Sequence, residues 1–345
     1  MFPAGILLLC LSAPVDAVPQ LRPVRGDEWT YRGTVSESVS RLDLRFRRKH
    51  EVEVRVLALE VHPDYADLAV LTLLRRADDL VSQAVPAVTG TVETDAPPAV
   101  RLDLIRLYEK GTAVLLLPPA TWPLVLNDKS PVTTLPMVPL ESFTSFEFGV
   151  LPPHGWTAGA GEYVAGERCV PMAQTRQSLN WDEPRGGQTA VQIVEQTWLS
   201  TRDGSVRKLH RKIVNRDGFR TEPAVTVETT LEVDSQTRVL GREFERYSQE
   251  IEFAYAYGRE LVGWLPNAAR MGPQPFEARL RLVNDFLRDR RVGTPYREAV
   301  LSVRRRLEAA RNGEAAPVPS PIHRLNPTGT GSPNRPPVVR ATVGP

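Results

Sequence analysis

Residues 225–233 read Val225-Thr226-Val227-Glu228-Thr229-Thr230-Leu231-Glu232-Val233, nine residues in which side-chain character alternates at every step. Val225, Val227, Thr229, Leu231 and Val233 share one face of an extended chain, and Thr226, Glu228, Thr230 and Glu232 share the other. A helix would mix the two sets, so period two marks a strand with one buried and one wet side. Asp234-Ser235-Gln236-Thr237 then reads as a turn, and Arg238-Val239-Leu240 as the start of a returning strand.

The same pattern spreads outward. Val191–Leu199 and Val206–Val214 flank Arg202-Asp203-Gly204, an Asp-Gly hairpin signal. Ile251, Phe253, Tyr255 and Tyr257 alternate again and read as a strand, with a helix over 243–257 as the other reading. Nearer the N-terminus, Val52, Val54, Val56 and Ala58 alternate with Glu51, Glu53, Arg55 and Leu57. A turn at His62-Pro63-Asp64 leads to Leu68–Leu74, the expected pairing partner. Val100, Leu102 and Leu104 and the run Ala113–Leu117 supply two more strands, joined tightly at Lys110-Gly111. Gly26-Asp27-Glu28-Trp29 opens the first set and Gly159-Ala160-Gly161-Glu162-Tyr163 the second, so a duplicated β unit is one reading. Short strands linked by tight turns predict a meandering antiparallel sheet with one wet face.

The end of the chain changes period. Phe276, Leu280, Val283 and Leu287 fall on one stripe of a helix, and Tyr296, Val300, Val303 and Leu307 repeat the spacing. Val292-Gly293-Thr294-Pro295 between them supplies a stop, a capping threonine and a proline at the first helical position. The expected fold is therefore mainly β (α+β): two antiparallel β units, read as related halves, then a C-terminal αα-hairpin and a Pro-rich tail. The expected limits are a signal peptide over 1–17, an N-terminal β-rich unit over 18–116 and a Pro-rich connector over 117–158. A second β-rich unit over 159–265, a helical hairpin over 273–312 and a disordered tail over 315–345 complete the order. Connector residues Trp122, Leu124, Val125, Phe143, Phe146 and Phe148 predict that it packs along the domains.

Composition bounds the function. The chain has 345 residues, 41% hydrophobic and 24% charged, which excludes a disordered chain, a collagen-like fibre and a polytopic membrane protein. Residues Ala4 to Ala13 form an apolar run too short to span a membrane, and Val15-Asp16-Ala17 offers a signal-peptidase site, so export is expected. Cleavage after Ala17 would remove Cys10 and leave Cys169 alone, so no internal disulfide is available. The net charge of +2 hides an asymmetry, because residues 276–345 hold 13 arginines against six acids, a net of +7, leaving −5 on the rest. That region is a candidate contact for an anionic envelope component, and export makes nucleic acid a poor partner. Arg304-Arg305-Arg306 also reads as a solvated helix face.

Chemical motifs are sparse. His50, His62, His154, His210 and His323 show no metal-binding spacing, so neither a metal nor a cofactor is expected. His210-Arg211-Lys212-Ile213-Val214-Asn215 with Asp217-Gly218-Phe219 has a faint kinase-loop look, but Lys212 stands where a carboxylate would be needed. Ser205-Val206-Arg207-Lys208 would be a nucleophile motif only at the head of a helix, and it heads a strand. Cys169 beside Arg168 reads as a small buried hydrophobe or, less simply, an activated thiol. Asp27/Glu28 beside Trp29 and Asp182/Glu183 beside Trp181 are carboxylate pairs of the kind a sugar cleft uses, and equally ordinary strand-edge residues. No catalytic or ligand-binding residue is assigned from sequence. Pro152-Pro153-His154-Gly155-Trp156, Gly166-Glu167-Arg168-Cys169-Val170 and Trp198-Leu199-Ser200 resemble segments of exported proteins from bacteria with GC-rich genomes, which implies a compartment and no activity. The expectation is a non-enzymatic envelope binding or scaffold protein that holds an apolar small molecule between sheet and helix, with aromatic positions such as Phe253, Tyr255 and Tyr257. The alternative is an exported hydrolase using carboxylates brought together by the fold.

Overall fold

A computed structural model of the chain describes residues 19, 21–41, 44–82, 98–108, 113–116, 156–177, 181–182, 189–217, 225–264, 267–288 and 293–313. The expected leader (1–17), the connector up to residue 155, the Lys110-Gly111 turn and the tail (315–345) lie outside the described residues.

The strands are β1 (Asp27–Arg41), β2 (Leu44–Val61), β3 (Tyr65–Ser82), β4 (Ala99–Tyr108), β5 (Ala113–Leu115), β6 (Thr157–Ala158), β7 (Glu162–Val164), β8 (Glu167–Gln177), β9 (Thr189–Ser200), β10 (Val206–Asp217) and β11 (Val225–Arg238). They form one eleven-stranded sheet in the order β5-β4-β3-β2-β1-β11-β10-β9-β8-β6, with β7 also on β8. Every pairing is antiparallel, as expected. Each run of strands is a meander, and the two meanders meet where the first strand pairs with the last, β1 on β11.

That seam is tight. An ideal Cβ on Gly33 would stand 1.8 Å from the Thr230 carbonyl oxygen and 2.9 Å from the Leu231 Cα, so only glycine lets the two backbones approach here. Gly26 closes the end of the seam at φ +84°: its N–H donates to the Ala58 carbonyl at 2.8 Å, and its carbonyl accepts from the Val239 N–H at 2.8 Å.

Four helices follow: α1 (Gly241–Trp264), the one-turn α2 (Ala268–Met271), α3 (Gln274–Arg288) and α4 (Arg297–Arg311). Two sequence expectations are corrected here. Asp234-Ser235-Gln236-Thr237 lies within β11, and Val239-Leu240 leads into a helix, so no strand returns. The alternation at Ile251–Tyr257 is part of α1, whose buried residues Phe244, Tyr247, Ile251, Ala254 and Leu261 recur every three or four positions. Phe253 and Tyr257 are helical neighbours with ring centroids 4.3 Å apart, and Phe253 stacks on Phe286 of α3 at 3.8 Å.

The α3–α4 hairpin keeps its predicted stripes, and all eight stripe residues are buried. Helix α4 starts two residues later than the Pro295 signal implies, yet the Thr294 hydroxyl still accepts the Arg297 N–H at 3.3 Å.

Two apolar clusters divide the molecule. One lies between helices and sheet, with Leu57, Ala69, Leu71, Leu73 and Val100 facing the buried stripes of α1, α3 and α4. The other occupies the far face of the sheet and runs from Ile105 and Leu107 of β4 through Val70, Val54 and Tyr31 to Leu231, Leu209, Leu199 and Met172 of β8. On the helix side of β10 and β11, Lys212, Glu228 and Glu232 are exposed, so the expected wet face is confined to that half. Over β2–β4 the helices cover it.

Candidate functional site

The far face holds the chemistry that sequence reading passed over. Because side chains alternate along each strand, Arg211, between Leu209 and Ile213, must share their face. Cross-strand pairing sets Glu195 opposite Arg211, Arg211 opposite Thr229, Thr229 opposite Val35 and Val35 opposite His50. A row of polar side chains therefore crosses an apolar face, and Glu195, Arg211, Thr229 and His50 are all buried.

Its charges are matched. Arg211 Nε donates to Glu195 Oε1 at 2.6 Å, and Arg176 Nη2 reaches Glu195 Oε2 at 2.7 Å. Burial pushes the Glu195 carboxyl above its ordinary range, opposed by Arg176, and pushes the Arg211 guanidinium below its own. The contact between them is what keeps both charges in the apolar layer. On β4, Arg101 and Asp103 form a bidentate pair on the same face, 2.7 and 3.1 Å, with burial again raising the carboxyl. Glu37 and His50, also on this face, are engaged in interactions of their own.

Two neutral donors stand apart from this pairing. Trp29 Nε1 and Thr229 Oγ1 are buried, their residues 2% and 1% exposed, and neither has a hydrogen-bond partner among the described residues. A buried donor without an acceptor costs free energy that a suitably placed oxygen recovers.

The residues singled out from sequence go elsewhere. Asp27 and Glu28, adjacent in the chain, serve different partners. Asp27 Oδ2 accepts the Val24 N–H at 2.8 Å and its Oδ1 accepts from Arg238 Nε at 2.7 Å, a corner brace. Glu28 turns to the helices, accepts the Tyr296 hydroxyl at 3.2 Å and lies 3.6 Å from Arg55, with its carboxyl raised by burial. Asp182 is exposed on its loop, Trp181 lies under the Arg216 guanidinium at 5.1 Å, and Glu183 is outside the described residues.

His62 packs tilted against Tyr65 in an exposed turn, ring centroids 4.4 Å apart, and His210 meets Glu228 at 2.8 Å on the wet face. His154 and His323 are outside the described residues. No group of three or more His, Cys, Asp or Glu side chains is placed to hold a metal ion among the described residues. Cys169 is fully buried, its Sγ 3.5 Å from the Glu167 carbonyl, and burial pushes its thiol up, away from the activated state that Arg168 suggested. Ser205 hydrogen-bonds Asp203 at 2.6 Å in the β9–β10 turn while Lys208 pairs with Glu232 at 2.6 Å, so the two do not form a catalytic couple. Arg211 and Lys212 sit mid-strand in β10, and Gly218 and Phe219 are outside the described residues.

Arg304 and Arg305 are partly solvated and pair with Glu308 and Glu298, whereas burial weakens the ionisation of Arg306. Arg306 also lines a shallow crevice between α1, α4 and β4 with Tyr255, Ser302 and Leu102. That crevice lies between sheet and helix, where an apolar ligand was expected. No helix among the described residues is long and apolar enough to cross a membrane.

The far-face row was legible only in part. Thr229 is in the segment that announces the fold, but nothing in the sequence shows that Arg211 and Glu195 would share its face, because that depends on the pairing register. Comparison with known proteins adds little: no protein-family model and no curated protein matches the chain. A solved structure described as lipid–protein interactions in lipovitellin is similar at 10% identity over 63% of this chain and 26% of that one, with a TM-score of 0.28. The chain thus spans about a quarter of the length of that neighbour.

Proposed function

We propose that this chain is a non-enzymatic binding protein that holds an apolar molecule against the far face of its sheet, and that it works in the cell envelope after export. One observation carries the reading. A cluster of buried apolar residues extends across eight strands, β1–β4 and β8–β11, and none of its members among the described residues is helical. Antiparallel sheets normally give one face to the core and the other to water. Here the helices occupy one side of β2–β4, while the opposite side is apolar from β4 to β8. The matched charges within it fit a surface made to hold something other than water.

Export rests on the apolar run at Ala4–Ala13 and the small residues before Val18. The arginines of α3 and α4, among them Arg281 and the exposed Arg288, offer a second contact for an anionic envelope component.

The test is direct. The full chain, purified without detergent, is extracted with organic solvent and the extract examined by mass spectrometry. The emptied protein is then titrated with diphenylhexatriene, a fluorescent hydrocarbon. A co-purified apolar molecule and saturable probe binding are expected. An empty extract together with no probe binding would overturn the reading.

A further inference from the structure

The crevice between α1, α4 and β4 has walls that favour one sign of charge. Val100 and Leu102 of β4, with the small residues Ala254, Gly258 and Ala299, leave a cavity of about 30 Å3. That is room for about two water-sized groups, such as the two oxygens of a carboxylate, and too little for an acyl chain. The polar side chains lining it are Tyr255, Ser302 and Arg306, and none of its described lining residues is acidic. Ser302 and Arg306 stand four residues apart on α4 and so share one side of that helix. Burial and the adjacent Arg305 push the Arg306 guanidinium down to about 9, so it remains a cation at neutral pH against two opposing effects. On α1, Arg259 is near enough to Tyr255 to oppose the burial that raises its hydroxyl. Acids of the neighbouring elements are matched: Asp103 with Arg101, Glu298 with Arg305 and Glu308 with Arg304. Arg306 has a contact of its own, but a guanidinium carries five N–H donors and can serve more than one acceptor.

We propose that this crevice is a carboxylate-binding site, in which Arg306 donates to both carboxylate oxygens and the Ser302 and Tyr255 hydroxyls complete their hydrogen bonds. The inference rests on the anionic contact read for α3 and α4, and gives that contact a particular group and place. A planar two-oxygen anion matches the guanidinium fork. It also relieves the Arg305–Arg306 repulsion, and the guanidinium has already lost much of its hydration, which lowers the cost of pairing.

The test is urea unfolding of the full chain at neutral pH, with sodium acetate replacing sodium chloride at constant ionic strength. At about 100 mM, acetate should raise the folding equilibrium constant about tenfold, as a dissociation constant of about 10 mM gives. Arg306→Met keeps an apolar stem, removes the guanidinium and should abolish the gain. Arg242→Met, exposed and about 20 Å along α1 from Tyr255, should leave the gain intact. The Arg306-dependent gain should be smaller with inorganic phosphate, which is larger and tetrahedral. The site is overturned if the gain persists in Arg306→Met, or if Arg242→Met loses it equally, as a general salt effect would. A phosphate gain as large as that of acetate overturns the choice of carboxylate. The wider anionic contact is read from sedimentation with phosphatidylglycerol vesicles. No vesicle binding overturns that contact, whereas vesicle binding without an Arg306-dependent acetate gain overturns the crevice alone.

Discussion

Thr229 sits in the stretch that identifies the sheet, and its buried hydroxyl has no hydrogen-bond partner among the described residues. A buried hydroxyl without an acceptor costs stability, so Thr229→Val should stabilise the chain by about 1 kcal/mol. Chemical denaturation checks this, and a loss of stability would mean that the hydroxyl is satisfied. Glu28 supplies a pH-dependent prediction. Its carboxyl is raised from the ordinary 4.5 by burial under the helices, so the folded state holds its proton more tightly than the unfolded chain. The contribution of this group is most favourable below pH 4.5 and is lost as pH rises through the folded value. Glu28→Gln keeps an acceptor for Tyr296 and removes the titration. Its stability relative to the parent should therefore be greater at pH 7 than at pH 4.5, measured by denaturant unfolding at both values. Asp103 and Glu195 are shifted the same way, so the variant keeps part of the parent's pH dependence. Sequence alone marked Glu28 as one of a carboxylate pair. The fold separated the pair because adjacent strand residues point to opposite faces.

At the scale of elements, legibility followed the strength of the period. The stripes of α3 and α4 were readable because four apolar residues at helical spacing, bounded by a Gly-Thr-Pro break, admit one reading. Helix α1 was misread because aromatic residues at 253, 255 and 257 mimic a strand, while its true stripe needs a window from Phe244 to Leu261 to show. Val239 also joins the helix-side cluster, which draws the chain off the sheet as soon as β11 ends. The pairing of β1 with β11 was the least legible feature, since their residues lie some two hundred positions apart in the chain. Gly33 was its one local sign. Replacing it should push β1 away from β11, because the Cβ would meet backbone that cannot rotate aside. Gly33→Ala is expected to cost about 2–4 kcal/mol, read from the shift in the urea midpoint at unchanged slope. A neutral result would mean that the seam has slack.

For the whole molecule, that seam decides whether two meanders behave as two units or one. Read from sequence, β-rich stretches at 18–116 and 159–265 divide the chain, and a long Pro-rich connector between them favours independence. The architecture sets a continuous sheet against that division. Val35 and Tyr31 of the first meander share a cluster with Leu231 and Val227 of the second, and the helices that follow the second meander pack on the first. Tyr296, immediately before α4, donates to Glu28 of β1 and ties the start of the last helix to the first strand. Unfolding one meander would strip the far face of the other and expose the helix-side cluster, so the apolar burial that stabilises either depends on both. Native-state hydrogen exchange tests this directly. Amides of Leu68–Leu71 in β3 and of Leu209–Ile213 in β10 should exchange through one opening, with the same free energy and the same denaturant slope, while those of the short edge strands β6 and β7 exchange earlier. In Gly33→Ala both core sets should lose protection together. If β3 and β10 open at different free energies, and the substitution affects only one, the meanders are separate folding units joined by an edge contact.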